Sequence, residues 1–416
     1  MLTNEISTLT ILILAFILFD FLLNYILDSM NAKSWDNSIP IELASIYDEE
    51  KYSKARSYNI AKGKLSNIEN IFGTVLIFCF LYFKVFAIIH LQISNYTQNQ
   101  FLQTLLFFGL YLIVLSIVSF PFEIYNIFII EEKFGFNKMT WKTLILDKVK
   151  GFILGIIIGG GLLSLFVWIY NIAGDNFWIY TWLSFAVIII LLPMFYTSLI
   201  VPIFNKLLPL ESGALRDAIE KFGNKVKFPL SNIFVIDGSK RSTKANAFFS
   251  GVGRKKSIVF YDTLIKEQSD DELVSILAHE VGHYKKKHIL KSLVVSLLQM
   301  GFMLYLLSLF IKNPSLTNAL GLQTEIAVLH LGLMAFVLLY SPISMFASIG
   351  INILSRKNEY EADNYAKENI GTSEHLISSL KKLSAHNLSN LNPNKWYVFF
   401  HYSHPTLLER IQKLKE

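Results

Sequence analysis

The stretch Ser269-Asp-Asp-Glu-Leu-Val-Ser-Ile-Leu-Ala-His279-Glu280-Val-Gly-His283 decides the fold, and it ends in an H-E-x-x-H pentapeptide. Its first four residues form a Ser-x-x-Glu capping box, and their acids suit the positive end of a helix dipole. Apolar residues follow at helical spacing, and no proline interrupts the chain from this cap to Lys312. The sequence therefore predicts a helix that begins at Ser269 and carries both histidines.

The pentapeptide indicates a metal site. Residues four apart on a helix lie one above the other, so the imidazoles of His279 and His283 can reach one zinc ion. Glu280 would then stand beside a bound water molecule, which would act as a nucleophile. A random chain of this length carries the pattern about once in a hundred, so a surface helix with two solvated histidines is the alternative. The surrounding sequence has to decide between them.

The composition of the 416-residue chain indicates a membrane protein. Hydrophobic residues make up 53% and aromatic residues 14%, and the mean hydropathy is +0.43. A bilayer helix needs about 20 apolar residues, and seven segments are long enough. These segments are residues 8–27, 71–91, 101–121, 151–171, 177–200, 289–311 and 326–354. We therefore expect an all-α integral membrane protein with seven transmembrane helices.

The distribution of Lys and Arg predicts the orientation of these helices. Nearly all of the 38 basic residues fall in four segments that would lie on one side of the membrane: 28–66, 122–150, 203–288 and 355–416. The positive-inside rule places these segments in the cytoplasm, with the N-terminus outside and the C-terminus cytoplasmic. Topology thus accounts for the net charge of +6, and nothing in it suggests a nucleic-acid partner. The first span lacks a basic flank and a cleavage site, so we expect an anchor rather than a signal peptide.

The predicted spans divide the chain into membrane and cytoplasmic parts. The runs 231–237 and 257–261 are rich in β-branched and aromatic residues, which predicts a short β-sheet. The stretch 355–416, after the seventh span, looks helical. The single cysteine, Cys79, excludes an internal disulfide and a cysteine-based zinc site. The predicted parts are 1–202 with transmembrane helices 1 to 5 and cytoplasmic loops 28–66 and 122–150, the catalytic loop domain 203–288, helices 6 and 7 in 289–355, and the cytoplasmic C-terminal part 356–416.

A catalytic zinc site needs three protein ligands and one open position, so a third ligand must come from elsewhere in the chain. Glu359 and Asp363 lie four apart on a predicted helix, so a ligand carboxylate would have a second carboxylate one turn away. If the helix with the two histidines runs on into the sixth span, His283 lies about 9 Å above the membrane. If the seventh span also continues as a helix, Glu359 lies about 7 to 8 Å above the end of that span. Spacing alone leaves an ordinary solvated acidic face open, but the matching heights favour a ligand.

The chain resembles the CAAX prenyl protease 1 family, type I CAAX endopeptidases that are integral-membrane zinc metalloproteases of the gluzincin kind. The matching pieces agree with the family in order and spacing, and they span nearly the whole chain. They are Ile130-Glu-Glu-Lys-Phe-Gly-Phe-Asn-Lys138, Asn246-Ala-Phe-Phe249, the pentapeptide at His279, Ser355-Arg-x-x-Glu-x-x-Ala-Asp363 and His401-Tyr-Ser-His-Pro-Thr-Leu-Leu-Glu-Arg410.

The resemblance implies a fold and a metal site. The fold would be a hollow α-barrel of transmembrane helices with a small gluzincin-type zinc domain at its cytoplasmic end. One Zn²⁺ per chain would be held by His279, His283 and Glu359, with Glu280 as general base and later proton donor. His404 matches a histidine near the catalytic zinc that could stabilise the oxyanion. A polar residue at the start of a C-terminal helix is the alternative for His404.

The resemblance also assigns supporting residues. Asp363 would orient a ligand histidine and pair with Arg410. Asn246, Ala247 and Phe248 match an edge strand that holds an extended peptide substrate by β-augmentation, although a simple turn is the alternative there. The roles of other polar residues in or near the spans stay open, namely Asp20, Lys84, Lys291 and His288.

The implied function is hydrolysis of peptide bonds at the cytoplasmic face of a lipid bilayer. The substrate would be a peptide or protein, either a prenylated C-terminal CAAX peptide or a misfolded or stalled membrane protein handled by quality control. A metal transporter or a non-catalytic zinc-binding membrane protein fits less well, because the ligands lie outside the lipid and Glu280 accompanies them. The chain is shorter than fungal and animal members and ends without their endoplasmic-reticulum retention signal. We therefore expect the bacterial inner membrane rather than the endoplasmic reticulum.

Overall fold

The structure is a computed structural model that describes residues 6–35, 41–44, 48–228, 232–250 and 257–416. The predicted strand 231–237 begins at Ser231, which lies outside the described residues, as do parts of the predicted loop 28–66. Most of the described residues are helical, and the strands form one small sheet.

The first half of the chain forms long helices joined by short turns. Their bounds are α1 (Thr8–Lys33), α2 (Glu49–Tyr82), α3 (Val85–Tyr96), α4 (Gln100–Tyr125), α5 (Trp141–Gly155), α6 (Gly161–Ala173), α7 (Phe177–Phe195) and α8 (Val201–Phe204). Short π-helical stretches extend α4, join α5 to α6 and join α7 to α8.

The second half combines four strands with further helices. The strands are β1 (Leu207–Pro209), β2 (Asn232–Ile236), β3 (Ala247–Ser250) and β4 (Ser257–Tyr261). The helices are α9 (Ala214–Lys225), α10 (Asp262–Glu267), α11 (Asp270–Lys285), α12 (His288–Phe310), α13 (Pro314–Ala319), α14 (Leu329–Ile370), α15 (Glu374–His386), α16 (Lys395–His401) and α17 (Leu407–Lys415).

Six helical segments in the described residues are long and apolar enough to cross a membrane. They are Thr8–Lys33, Glu49–Tyr82, Gln100–Glu131, Trp141–Phe204, His288–Phe310 and Leu329–Ile370. Large apolar side chains on them point outward; Ile117, for example, is 68% exposed and Leu298 is 64% exposed. Such exposure suits a surface that faces lipid rather than water.

The fourth of these segments changes direction within its length. A 3₁₀ turn at Gly174–Asn176 separates α6 from α7, and Gly174 has a φ of 58°. The ring of Phe177 packs edge-on against Phe166 and Tyr170, so the start of α7 folds back onto the end of α6. The chain therefore makes a helical hairpin here.

Two sequence-based expectations about helix continuity are wrong. The predicted second span 71–91 crosses a break, because α2 ends at Tyr82 and Lys84 has a φ of 54° before α3 begins. The catalytic helix does not run on into the sixth span either, since Lys287 has a φ of 58° between α11 and α12. The seventh span does continue as expected, and α14 carries Glu359 on one unbroken helix.

The sheet has the order β1-β2-β4-β3, with β2 and β4 parallel and the other neighbours antiparallel. Strands β2 and β4 confirm the two runs that predicted a sheet. Buried side chains from both ends of the second half share one apolar core; they include Ile258, Leu277, Ala366 and Leu414. We call the part formed by residues 207–285 and 356–416 the α/β core.

Strand β3 lies at the edge of the described sheet. Ala247 pairs with Phe260 in the antiparallel register, and the carbonyl of Asn246 accepts a hydrogen bond from the backbone N–H of Tyr261 at 3.0 Å. Asn246 thus extends the pairing by one residue instead of forming a separate turn. An edge strand keeps backbone groups available for a further strand.

Candidate metal centre

Helix α11 is fixed at its start by the predicted capping box. The Ser269 hydroxyl accepts from the backbone N–H of Glu272, and the Glu272 carboxylate accepts from the backbone N–H of Ser269. The same carboxylate accepts hydrogen bonds from Ser378 and Lys382 on α15. Leu277 is fully buried in the α/β core, which sets the rotation of α11 and turns its histidines toward α14.

Helices α11 and α14 approach each other closely at Gly282. A Cβ atom at this position would lie 3.1 Å from the Cα and carbonyl oxygen of Ala362 and 3.1 Å from the Cβ of Tyr365. A side chain here would therefore require its neighbours on α14 to move by a few tenths of an ångström. The glycine inside the pentapeptide lets Glu359, one turn before Ala362, reach the level of the two histidines.

Three side chains meet at this crossing. The Nε2 atoms of His279 and His283 are 3.1 Å apart. Oε2 of Glu359 lies 3.5 Å from Nε2 of His279, and Oε1 lies 3.3 Å from Nε2 of His283. All three residues offer ligand atoms within 4.8 Å of one another, which can hold a metal ion. The predicted ligand residues are thus brought together from two distant parts of the chain.

The donor set fits zinc. Metal bonds of about 2.0 to 2.1 Å place the corners of a tetrahedron about 3.3 Å apart, close to the separations in this cluster. Two imidazole nitrogens and one carboxylate oxygen are the ligands of many catalytic zinc sites. The group has three members among the described residues, so a zinc ion held by them would keep a fourth position for water or substrate.

Asp363 and Arg410 contact the far side of the cluster. Oδ1 of Asp363 lies 2.8 Å from Nδ1 of His279, on the side away from the other ligands. Arg410 donates two hydrogen bonds to Asp363, at 2.8 and 2.6 Å, and its Nη1 lies 3.6 Å from Oε2 of Glu359. Asp363 therefore orients the ring of His279, and the guanidinium holds both carboxylates in place.

The electrostatics of the cluster favour positive charge. Burial lowers the pKa of His279, but the carboxylates of Asp363 and Glu359 outweigh it and raise that pKa to about 9. Burial also lowers the pKa of Arg410, and Asp363 reverses that effect, so the guanidinium keeps its charge. A proton or a metal ion at the imidazole nitrogens is stabilised by the same two acids.

Glu280 and His404 lie next to the ligands in different ways. Glu280 is partly buried on α11 beside His279, and its charge contributes to the raised pKa of Arg410. His404 precedes α17, is 64% exposed, and places its Nδ1 3.0 Å from Oε2 of Glu359. The His404 side chain thus lies next to the cluster and faces a cavity of about 410 Å³ that Arg410 lines, whereas Glu280 directly follows His279 on α11.

The residues Asn246, Ala247 and Phe248 lie on or directly before β3, which pairs with β4. The start of β3 is tied to the α/β core by Asn387, which follows α15. The side chain of Asn387 accepts from the backbone N–H of Ala245 and donates to its carbonyl, both at 3.2 Å. This pair of hydrogen bonds fixes the point from which β3 begins.

Sequence reasoning left His288 without a role, although the structure places it beside a ligand. Nδ1 of His288 is 3.1 Å from Nδ1 of His283, and Nε2 of His288 is 3.0 Å from Oε2 of Glu361. A third histidine five residues after the pentapeptide was the available signal. The position of His288 beside His283 depends on the break between α11 and α12, which the sequence pattern did not indicate.

Comparisons with known proteins identify the family of the chain. A family model described as CAAX prenyl protease N-terminal, five membrane helices, matches residues 28–206, and a model of peptidase family M48 matches residues 209–416. The CAAX prenyl protease 1 homolog of Oryza sativa subsp. japonica is 34% identical, over 91% of this chain and 90% of its own length. CAAX prenyl protease 1 of Saccharomyces cerevisiae is also 34% identical, over 91% of this chain and 89% of its own length. The crystal structure of S. mikatae Ste24p has a TM-score of 0.93 and 33% identity, covering 99% of this chain and 100% of that chain.

The fold and the site define a membrane-integral metallopeptidase. The chain belongs to the CAAX prenyl protease 1 family, within peptidase family M48, and is a zinc metalloendopeptidase of the membrane. A peptide or protein is therefore its substrate, and the lipid bilayer is its surroundings.

Proposed function

We propose that this protein binds one Zn²⁺ through His279, His283 and Glu359 and cleaves peptide bonds at the cytoplasmic face of the membrane. The observation that carries the proposal is the convergence of these three ligand atoms next to Glu280 on α11. When bound, zinc supplies a positive centre that polarises a water molecule and the scissile carbonyl group.

The residues around the ligands would do the proton chemistry. Glu280 accepts a proton from the attacking water and then delivers it to the nitrogen of the leaving amine. His404, exposed at the cavity and close to Glu359, donates a hydrogen bond to the oxyanion that forms on the carbonyl. Asp363 and Arg410 keep His279 and Glu359 oriented during the reaction.

The substrate would bind as an extended strand. Asn246, Ala247 and Phe248 lie on or next to β3 at the edge of the described sheet, where a peptide can add by backbone hydrogen bonds. The anchoring of Ala245 by Asn387 supports this role, because it holds the strand in a fixed place relative to the α/β core.

We further propose that the preferred substrate is a prenylated C-terminal CAAX peptide. The names of the relatives in rice and yeast suggest this specificity. Two cavities are consistent with a lipid-modified peptide. One of about 700 Å³ lies between α1, α2 and α14 and is lined by His401, which also lines the cavity next to His404. A lipid chain in the membrane cavity would thus leave the attached peptide close to the metal.

We propose that seven transmembrane helices enclose a hollow barrel, as expected from the sequence. The count of seven takes the hairpin Trp141–Phe204 as two spans. The parts 1–202, 203–288, 289–355 and 356–416 would then alternate between membrane and cytoplasm, with the N-terminus outside. The bacterial inner membrane is the expected location. Labelling of terminal tags with an impermeant reagent in intact cells tests this orientation.

One experiment tests both the chemistry and the specificity. The purified protein is given a farnesylated CAAX peptide and the same peptide without the lipid, with and without a zinc chelator. We expect faster cleavage of the farnesylated peptide and loss of cleavage with the chelator. Equal rates for the two peptides would discard prenyl specificity and favour a role in membrane-protein quality control.

The first prediction concerns Glu280. The Glu280→Gln variant keeps the three ligands, so its zinc content should equal that of the unmodified protein. Its kcat should fall by about 10² to 10⁴, the usual contribution of a general acid–base group. Zinc content by atomic absorption and steady-state kinetics check this outcome. Cleavage at the unmodified rate by a zinc-loaded variant would rule out the assigned role.

A further inference from the structure

The second ring nitrogen of His283 has its own partner. Nε2 of His283 faces the ligand cluster, whereas Nδ1 lies 3.1 Å from Nδ1 of His288. The two rings cross at 77°, with centroids 5.1 Å apart. Each nitrogen of the His283 ring is therefore placed against a different group.

His288 is in turn held by a carboxylate. It is buried at the start of α12, and its Nε2 lies 3.0 Å from Oε2 of Glu361 on α14. Glu361 is 31% exposed and also faces the ammonium group of Lys291 at 3.5 Å. A continuous line of contacts thus runs from His283 on α11 through His288 on α12 to Glu361 on α14.

The direction of the hydrogen bonds along this line follows from the ligand role of His283. A ring nitrogen that binds a metal uses its lone pair, so the other nitrogen of a neutral imidazole carries the proton. Nδ1–H of His283 then donates to Nδ1 of His288, which must be an acceptor. Nε2–H of His288 consequently donates to Glu361, whose ionised carboxylate can only accept.

The break between α11 and α12 makes this contact possible. Residues five apart on one continuous helix point about 140° away from each other, so His288 could not face His283 if the helix ran on. Lys287, with a φ of 58°, ends that regular rotation. The chain turns, and α12 begins with the His288 side chain directed back at the pentapeptide.

We propose that His288 and Glu361 are positioning residues that hold His283 in its metal-binding tautomer and orientation. This inference rests on the proposed function, because it takes His283 as a zinc ligand. His279 is oriented directly by Asp363, whereas His283 is oriented by Glu361 through one intervening imidazole. The two ligand histidines are thus each connected to a carboxylate on α14.

The test measures zinc affinity by chelator competition on the purified full-length protein at one fixed pH. His288→Leu removes the acceptor and should weaken zinc binding by about 10- to 100-fold, the usual cost of losing such a partner. His288→Asn places a carbonyl oxygen near the former Nδ1, so its affinity should stay within about threefold. Glu361→Ala should weaken binding, and Glu361→Gln, which keeps an acceptor, should weaken it less. Ser292→Ala changes an exposed residue on the same helix α12 and is the control, which should leave the affinity unchanged.

Each result either supports or overturns the positioning role of His288 and Glu361. Unchanged zinc affinity in His288→Leu, or equal losses in His288→Leu and His288→Asn, would overturn the proposal. Thermal unfolding of both variants in excess chelator separates a folding defect from a ligand defect, and Glu361→Ala repeats the test at a partly exposed side chain. The ligand assignment itself is checked by His279→Ala. If that variant still binds zinc as tightly as the unmodified protein, the proposed function fails rather than the positioning role.

Discussion

The two helices that supply the metal cluster are stabilised in different surroundings. Helix α11 has 16 residues, starts with a capping box and buries Leu273 and Leu277 in the α/β core. Helix α14 has 42 residues, and its first half lies among the membrane-spanning helices before Glu359 and Asp363 reach the α/β core. The difference shows that neither helix alone forms the candidate metal site, since its three residues meet where a core helix crosses a helix that comes from the membrane.

Two kinds of contact join the helices at this crossing. One is the close backbone approach at Gly282, and the other is the set of charges around Arg410. The first depends on shape and the second on buried ion pairs. Substitutions that remove one kind of contact at a time can measure how much each contributes to the register of the ligands.

The largest effect on stability is expected from the charges. Arg410→Met leaves Asp363 and Glu359 buried without their cation, and breaking such a pair costs about 3 to 5 kcal/mol of unfolding free energy. Arg410→Lys keeps the charge but loses the two-point hydrogen bond to Asp363, so the unfolding free energy should fall less than in Arg410→Met. Chemical unfolding in detergent micelles measures both.

Lys413→Met provides the matched control for Arg410. Lys413 is on the same helix and 58% exposed, and its loss should change the unfolding free energy by less than about 0.5 kcal/mol. An Arg410→Met variant as stable as this control would show that the buried charges do not hold α17 against α14.

A smaller effect is expected from the close approach of the helices. Gly282→Val adds a branched side chain where even one Cβ would lie 3.1 Å from the backbone of Ala362, so overpacking should cost about 1 to 3 kcal/mol. Zinc affinity should fall with it, because Glu359 moves away from the histidines. Gly282→Ala should show a milder version of both changes in unfolding and chelator-competition experiments.

Gly350 serves as the control for Gly282. It lies on α14, and a Cβ atom there would meet nothing within 4 Å. Gly350→Ala should leave zinc affinity unchanged and keep or slightly raise stability, because alanine loses less entropy than glycine in a helix. Equal zinc affinities for Gly282→Val and Gly350→Ala would contradict the role assigned to the helix crossing.

The smallest effect is expected at the start of α11. Burial raises the pKa of Glu272, but the hydrogen bonds from Lys382, Ser378 and the backbone of Ser269 outweigh it and lower that pKa below its usual value. Glu272→Gln should therefore lower the unfolding free energy by about 1 kcal/mol at neutral pH. The loss is no larger because solvent screens part of the ion pair.

The pH dependence of the Glu272 contribution has a definite sign. A carboxylate with a lowered pKa stabilises the fold above its unfolded pKa, and this stabilisation is lost as the pH falls through the folded value. The difference in unfolding free energy between Glu272→Gln and the unmodified protein should thus become smaller as the pH falls. Thermal unfolding from pH 7 to pH 3 measures it, with the exposed loop residue Glu211, replaced in Glu211→Gln, as control. A difference that grows in acid would show that the ionised form of Glu272 is not the stabilising one.

Much of the local structure was predictable because it depends on neighbouring residues. The capping box at Ser269 predicted where α11 begins, and the β-branched runs predicted β2 and β4. The long apolar segments predicted the membrane class. In each case a short stretch of sequence carries its own signal, through helix capping, alternation or length.

The breaks in the helices were not predictable from these patterns. Lys84 and Lys287 adopt positive φ values that a lysine seldom takes, and no glycine or proline marks either place. The expectation that α11 runs into the sixth span failed for this reason. The position of His288 beside His283 follows from the second break, so that contact was missed together with its cause.

The sequence by itself determined the class of the protein and the chemical identity of the candidate ligands, because the H-E-x-x-H spacing and the apolar segments act within single helices. Only the tertiary structure decided how the parts meet: the approach of α14 at Gly282, the double hydrogen bond from Arg410 to Asp363, and the line from His283 to Glu361. These contacts join residues far apart in the chain. Their geometry depends on the packing of several helices at once, which no local pattern records.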